Sequence, residues 1–491
     1  MTVGEYSIPK EVTRVTEALQ NAGFEAYLVG GCVRDILLNK KPKDWDITTN
    51  AHPEGIEALF EETFYNNDFG TVGVVNEDTE DETLKVIEVT PYRKEGTYSD
   101  SRRPDTVEFG VSLEEDLARR DFTVNAIAYD VLKDTFVDPY KGQEDLEAKQ
   151  LKAVENPDER FKEDALRMMR AIRLAAELGF GIEQKTFEAI SSDSALLKNI
   201  SKERIRDELI KTIMSPQPME GLLHMKQTGI LQYVLPELLT GVDIEQNHSH
   251  IYSVFEHLIR SVQHAADKDF PLEVRFAALF HDIGKPESRR KTKETGAYTF
   301  YGHEVNGSRV TRNMLENLRF PKENVENIVK LVRWHMFFSD PDKITLSAVR
   351  RMIVNVGEEN IWNLLNVRMC DRIGSGRPKE QPFRLRKYTS MVEEALRDPI
   401  SVGKLAIKGE ELMNVTHETP GPRVGNMLHA LLEEVLDDPG KNTHEYMTSR
   451  AQELSKLSDE ELESLGRAGK EKKELEDEKE VEALRKKHHV N

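Results

Sequence analysis

Residues Tyr27 to Asp46 read YLVGGCVRDILLNKKPKDWD, a glycine pair, an Arg-Asp dipeptide and an Asp-x-Asp pair within twenty positions. Ala26 to Val29 has the composition of a short apolar strand, and Val33 to Leu38 that of a helix. Between them Gly30 and Gly31 permit a close turn that turns backbone N–H groups toward phosphate, with Arg34 placed to meet its charge. Asp44 and Asp46 flank Trp45 in an extended segment, and the two-residue period of a strand puts both carboxylates on one face. Side by side they repel unless divalent cations lie between them. Hard oxygen ligands and a triphosphate suit Mg²⁺, and a two-metal clamp supports nucleotidyl transfer. Glu88, the acid in the alternating apolar run KVIEVTPYR, is the candidate third carboxylate. Otherwise the Asp pair is a solvated turn before a strand.

Further along stand LARRDFTVNAIAYD (Leu117 to Asp130), DPYKG (Asp138 to Gly142), EDALRMMRAIR (Glu163 to Arg173) and SKERIRDEL (Ser201 to Leu209). With the GGxVRD and DxD elements, their order and spacing resemble the class II tRNA nucleotidyltransferase and bacterial poly(A) polymerase family over nearly the whole chain. The segment Glu163 to Arg173 reads as one helix with Asp164, Arg167, Arg170 and Arg173 along a drifting face. A carboxylate and a guanidinium one turn apart can present acceptors and donors to a base edge. The resemblance implies that Asp164 and Arg167 read CTP or ATP in place of a template, while Arg170 and Arg173 hold them or meet phosphate. It also implies that Arg120 and Asp121 contact the nucleotide's phosphate and ribose. Phe122, Val124, Ile127 and Ala128 read as core, and Arg119 as a surface charge. The segment Arg93 to Gly110, rich in glycine, serine and basic residues, reads as a loop between strands. The family's loop there assists the switch from C to A addition.

A second constellation comprises His257, His281 and Asp282 in FAALFHDIGKP, His303, His335 and Asp371. Adjacent His and Asp, with a His before and an Asp after, resembles HD-type metal-dependent phosphohydrolases. Imidazoles suit a divalent transition metal, and His303 and His335 extend the set to two ions. Satisfied core histidines are the alternative. Some relatives with such a domain act on 2′,3′-cyclic phosphates, an analogy for this chain. His248 and His250 are expected at the rim.

A net charge of −20 argues against a general nucleic-acid binder, yet one tRNA end needs only a local positive stripe. Arg167, Arg170, Arg173, Lys202, Arg204, Arg206 and Lys211 could supply it. Gly421, Pro422 and Gly425 at a helix start resemble a family tail that contacts tRNA, or form an ordinary Pro-Gly turn. From Ser455 the dense alternation of charge reads as a solvated helix or disordered tail.

Two cysteines give no disulfide framework, and no apolar signal core or long apolar run occurs. The cytoplasm is the expected location, with no membrane partner; nothing in the sequence fixes an oligomeric state. The expected fold class is α+β: an N-terminal nucleotidyltransferase-type α/β head (1–150), then an all-helical neck (151–217), an HD region (218–380), an RNA-contacting tail (381–454) and a charged C-terminus (455–491). The expected function is template-independent completion of the tRNA 3′ CCA end from CTP and ATP, with HD phosphohydrolase activity on RNA ends as an addition. Poly(A) or A-only addition is one alternative. An HD phosphohydrolase whose head only binds nucleotide is another.

Overall fold

Alternation of apolar and polar residues builds the head. Along Val86–Pro91 the residues Ile87, Val89 and Pro91 are buried, while Val86, Glu88 and Thr90 occupy the opposite, half-buried face. The same logic buries Leu28, Ile47, Val72 and Val74 in neighbouring strands. The result is a seven-stranded mixed sheet, ordered Thr63–Tyr65, Val72–Val75, Val86–Pro91, Asp46–Thr49, Ala26–Val29, Ala128–Asp130 and Thr135–Val137. Asp46–Thr49 and Val86–Pro91 run parallel; every other pair is antiparallel. The protein is described here by a computed structural model covering residues 8–65, 70–96, 107–246, 251–292, 297–337, 344–397 and 401–465.

Helices follow the head, as expected from the helical periodicity beyond Leu151. Gln150–Leu151 pairs in parallel with Gly181–Ile182, tying the end of the head to the neck. The amphipathic helix Leu166–Leu178 buries Met168, Met169, Ile172 and Ala175, ends at Gly179 in the left-handed region, and packs on Lys202–Met214 and Pro218–Gln227. Two compact units result, with the division at Pro236 and Glu237. Segment 218–236 therefore packs with the neck helices, whereas the sequence reading grouped it with the HD region.

In the second unit Val254–Asp267, Leu272–Phe280, His303–Asn317, Lys322–Trp334 and Ile361–Gly374 pack around one core. Two glycines allow backbones to approach where ligating residues converge. A Cβ on Gly374 would lie 2.1 Å from Ser261 Oγ and 2.8 Å from the carbonyl of His257. One on Gly284 would lie 2.3 Å from the carbonyl of His303 and 2.5 Å from the N–H nitrogen of Gly307. The tail helix Pro422–Asp437 belongs to the same unit, and Arg350 donates to the carbonyl of Leu436 at 3.1 Å. Leu462 is fully buried, so the charged C-terminal segment starts with an anchored turn of chain. Residues 466–491 lie outside the described residues. Among the described residues no helix is long and apolar enough to cross a membrane.

Gly284→Ala should push the helix that begins at His303 off its neighbour, costing about 1–3 kcal/mol by overpacking. Thermal unfolding with and without added Zn²⁺ checks this; an unchanged melting curve would show that the two backbones can part freely.

Candidate active site and metal centre

Gly30 has φ 81°, a conformation open to glycine, and the helix Gly31–Leu37 starts immediately after it. A Cβ on Gly30 would stand 3.3 Å from Arg120 Nη1 and 3.6 Å from Asp46 Oδ2. One on Gly31 would stand 3.6 Å from Arg34 Nη2 and 3.9 Å from Asp44 Oδ1. The glycine pair is thus a floor with two carboxylates and two guanidiniums above it. Asp46 pairs in register with Glu88, and Glu88 donates its backbone N–H to the carbonyl of Trp45 at 3.0 Å. Burial pushes the Asp46 carboxyl up to about 7, with Asp44 and Glu88 adding to the rise and Arg120 opposing it. A buried carboxyl raised further by two acidic neighbours fits divalent cations, which take hard oxygen ligands.

The arginines are held by partners that sequence reading missed. Asp116, fully buried, accepts from Arg119 Nε at 2.9 Å, Arg120 Nη2 at 3.2 Å and Thr48 Oγ1 at 3.1 Å. Burial alone would raise its carboxyl; Arg119 and Arg120 hold it below the usual range. Arg119 is therefore no surface charge, because the buried carboxylate three residues earlier requires it. An acid at i with arginines at i+3 and i+4 was the available signal. Arg34 donates to Asp35 at 2.8 Å and to Asn125 Oδ1 at 2.9 Å. Asp121 is buried and accepts from Arg170 at 2.6 and 2.8 Å. Despite burial, Arg170 and Asn125 keep its carboxyl well below the normal range.

The expected single helix from Glu163 to Arg173 is two. Pro157–Glu163 ends at Asp164, whose φ of −138° is extended, and a new helix begins at Leu166. The break is stabilised because Asp164 Oδ1 accepts the Leu166 N–H at 3.0 Å while Oδ2 accepts from Arg204 at 2.6 Å. Arg167 sits one turn on, with Nη2 donating to the carbonyl of Arg119 at 3.1 Å. Arg173 pairs with Glu208 at 3.1 Å and Arg206 with Asp207 at 2.8 Å. Much of the anticipated positive stripe is thus committed inside the protein, whereas Lys202 is exposed.

In the second unit the structure brings all six anticipated residues together. His257, His281, Asp282 and Asp371 offer ligand atoms within 4.8 Å of one another, and so do Asp282, His303 and His335. Asp282 belongs to both groups: Oδ2 lies 3.1 Å from His257 Nε2 and 3.3 Å from His281 Nε2, while Oδ1 lies 3.1 Å from His303 Nε2 and 3.5 Å from His335 Nε2. The Nδ1 atoms of His281, His303 and His335 face the carbonyls of Ala278, Phe300 and Val332 at 2.7–2.9 Å. In their neutral forms this leaves the Nε2 lone pairs of His303 and His335 inward, only 3.3 Å apart. Lone pairs opposed in a buried site fit cations between them. Burial lowers His335 to about 4. His281 is instead raised to about 9, the facing Asp282 and Asp371 carboxylates outweighing its burial. Lys285, missed in the sequence, donates to Asp282 at 2.5 Å and to Gln246 at 2.6 Å.

Gly421 and Gly425 lie at the start of Pro422–Asp437, with nothing within 4 Å of a Cβ on Gly425. Beside them Arg423, also unanticipated, donates to Glu418 at 2.7 Å and to the carbonyls of Ser455 and Leu457 at 2.8 Å. The ends of the expected loop pair as Arg93–Glu95 with Val107–Phe109. His248, His250 and residues 97–106 lie outside the described residues.

A carboxylate-lined nucleotidyl-transfer head followed by an HD-type helical unit is the class that fold and sites define. Comparison agrees: residues 26–152 match the Poly A polymerase head domain, 179–240 the probable RNA and SrmB-binding site of polymerase A, and 248–364 the HD domain. A CCA-adding enzyme of Enterococcus faecalis is 33% identical over 444 residues, 90% of this chain and 95% of the relative. A CC-adding tRNA nucleotidyltransferase of Thermus thermophilus is 34% identical over 83% of this chain and 89% of its own length. The crystal structure of the Bacillus stearothermophilus CCA-adding enzyme in complex with CTP superposes with TM-score 0.67 and 27% identity, over 91% of this chain and 98% of the other. The chain belongs to the family of CCA-adding enzymes and related tRNA nucleotidyltransferases.

Because its folded value is raised, Asp46 stabilises the cation-free head fully below about pH 4, and this contribution is lost as pH rises through about 7. A cation must displace that proton. Mn²⁺ affinity at the head should rise roughly tenfold per pH unit below about 7 and level off above it. Titrations of the wild type, with Asp46→Asn as control, check this; a flat profile would show that Asp46 is not a ligand.

Proposed function

We propose that this chain completes tRNA 3′ ends, adding C, C and A from CTP and ATP with release of pyrophosphate. One observation carries the reading: Asp46 and Glu88 stand in register, with Asp44 and Asp46 over the glycine pair, in the same compact unit as Asp164 and Arg167. Arg34 and Arg120, above Gly31 and Gly30, receive the triphosphate. Asp164 accepts from an exocyclic amino group, which cytosine and adenine both carry and uracil lacks. Guanine presents a carbonyl at the corresponding position and is refused there. Arg167 supplies the donors for the ring acceptors. Mg²⁺ held by Asp44, Asp46 and Glu88 would ease deprotonation of the attacking hydroxyl and neutralise the departing pyrophosphate. Retention of the segment from Arg93 to Gly110 favours A addition over CC addition alone. Exposed Lys202 and the helix start at Gly421 and Gly425 are the proposed contacts to the RNA backbone. The cytoplasm is where these substrates meet.

The second unit supports a second activity: hydrolysis of phosphoesters at RNA ends, 2′,3′-cyclic phosphates among them, with a divalent transition metal. The bridging place of Asp282 between two histidine groups favours it, since both groups can then act on one phosphate.

The test is a tRNA lacking its 3′ end, incubated with CTP alone, ATP alone, and both. C incorporation with ATP-dependent completion is expected, and long A tails without C would overturn the reading. Asp44→Ala or Asp46→Ala should lower transfer at least about a thousandfold without unfolding the chain. The double variant His281→Ala with Asp282→Ala should lose cyclic-phosphate hydrolysis and transition-metal content yet keep adding C and A. Loss of nucleotide addition in that folded variant would mean the two activities are not separate.

A further inference from the structure

A buried polar chain joins the phosphate side of the head to the neck helix. Arg34 Nη1 donates to Asn125 Oδ1 at 2.9 Å, and Asn125 Nδ2 donates to Asp121 Oδ1 at 3.1 Å. Asp121 Oδ2 then accepts from Arg170 Nε and Nη2 at 2.8 and 2.6 Å. Asn125 and Asp121 are both buried, and Arg34 is nearly so. The orientation of the amide is forced: a guanidinium only donates and a carboxylate only accepts, so one must face Oδ1 and the other Nδ2. Arg34 stands beside Gly31 and Asp44, whereas Arg170 lies one turn beyond Arg167 on the same helix. Among the described residues, Asn125 is the neutral link in this chain.

We propose that Asn125 is a positioning residue that couples triphosphate contact by Arg34 to the setting of the base-reading helix through Asp121 and Arg170. The proposal rests on reading this unit as the CTP- and ATP-using site. A nucleotide that draws Arg34 toward its phosphates pulls on Asn125, and Asn125 is held by the carboxylate that fixes Arg170. Bound phosphate and a correctly placed helix therefore favour each other. Only an amide can do this here. A carboxylate at the same place would face Asp121 across about the same distance as the present hydrogen bond and repel it, while gripping Arg34 more tightly.

The experiment uses the full-length chain as Asn125→Asp, which conserves shape, and as Asn125→Ala. Steady-state kcat and KM are measured for CTP and ATP on tRNAs lacking CA and A, together with the preference for CTP over UTP and the melting temperature. For Asn125→Asp the expected result is a KM raised about tenfold for both nucleotides, a CTP preference lowered about tenfold, and kcat at saturation close to wild type. Asn125→Ala should move both parameters the same way, by about threefold. If Asn125→Asp fails to fold, Asn125→Ala decides. Wild-type KM and preference in a folded variant would overturn the proposal, and so would a change in one without the other, since coupling moves both. Failure of the underlying functional reading shows separately, in a wild-type chain that adds neither nucleotide.

Discussion

The parallel register of Asp46–Thr49 with Val86–Pro91 forces Asp46 and Glu88 to be neighbours, and Asp44 adds a third carboxylate two residues before. Asp44 and Glu88 both push the Asp46 carboxyl up. Arg120 opposes that rise and is itself shared with Asp116, a setting that divalent cations fit. The rest of the head follows from this constraint. The sheet supplies rigidity, Gly30 supplies approach, and buried acids such as Asp116 and Asp121 hold arginines at fixed stations.

The same reasoning explains how an acidic chain handles RNA. Arg119, Arg170, Arg173 and Arg204 are each paired with a carboxylate of their own unit. The internal pairs convert cations from a diffuse field into oriented donors, because a guanidinium held on one side presents its other N–H groups in known directions. Attraction of these side chains to phosphate is thereby moderated.

Legibility in the sequence tracked the range of the interaction. Strand Ala26–Val29, the glycine turn and the carboxylate trio were readable because each depends on neighbours or on the period of a strand. The six residues that cluster in the second unit were readable as candidates because His281 and Asp282 are adjacent and the others carry ligating chemistry. What could not be seen was decided by distant partners. The helix breaks at Asp164 because Arg204 takes its carboxylate, and Arg119 is bound inward because Asp116 is buried. Asn125 stands in the sequence between residues read as core, and only the structure brings Arg34 to it. Likewise the adjacency of His281 and Asp282 says nothing of Asp282 reaching both histidine groups.

That reach has a consequence for how the second unit is assembled. His257 and Asp371 are far apart in the chain, and the other candidate ligands lie between them, at helix ends or just past them. Ions seated at Asp282 would act as a reversible cross-link closing a long loop of polypeptide, removing entropy from the unfolded ensemble. Ion occupancy would then bear on how long the unit endures. Loss of such ions would then loosen the second unit, whereas the head is held by its own sheet.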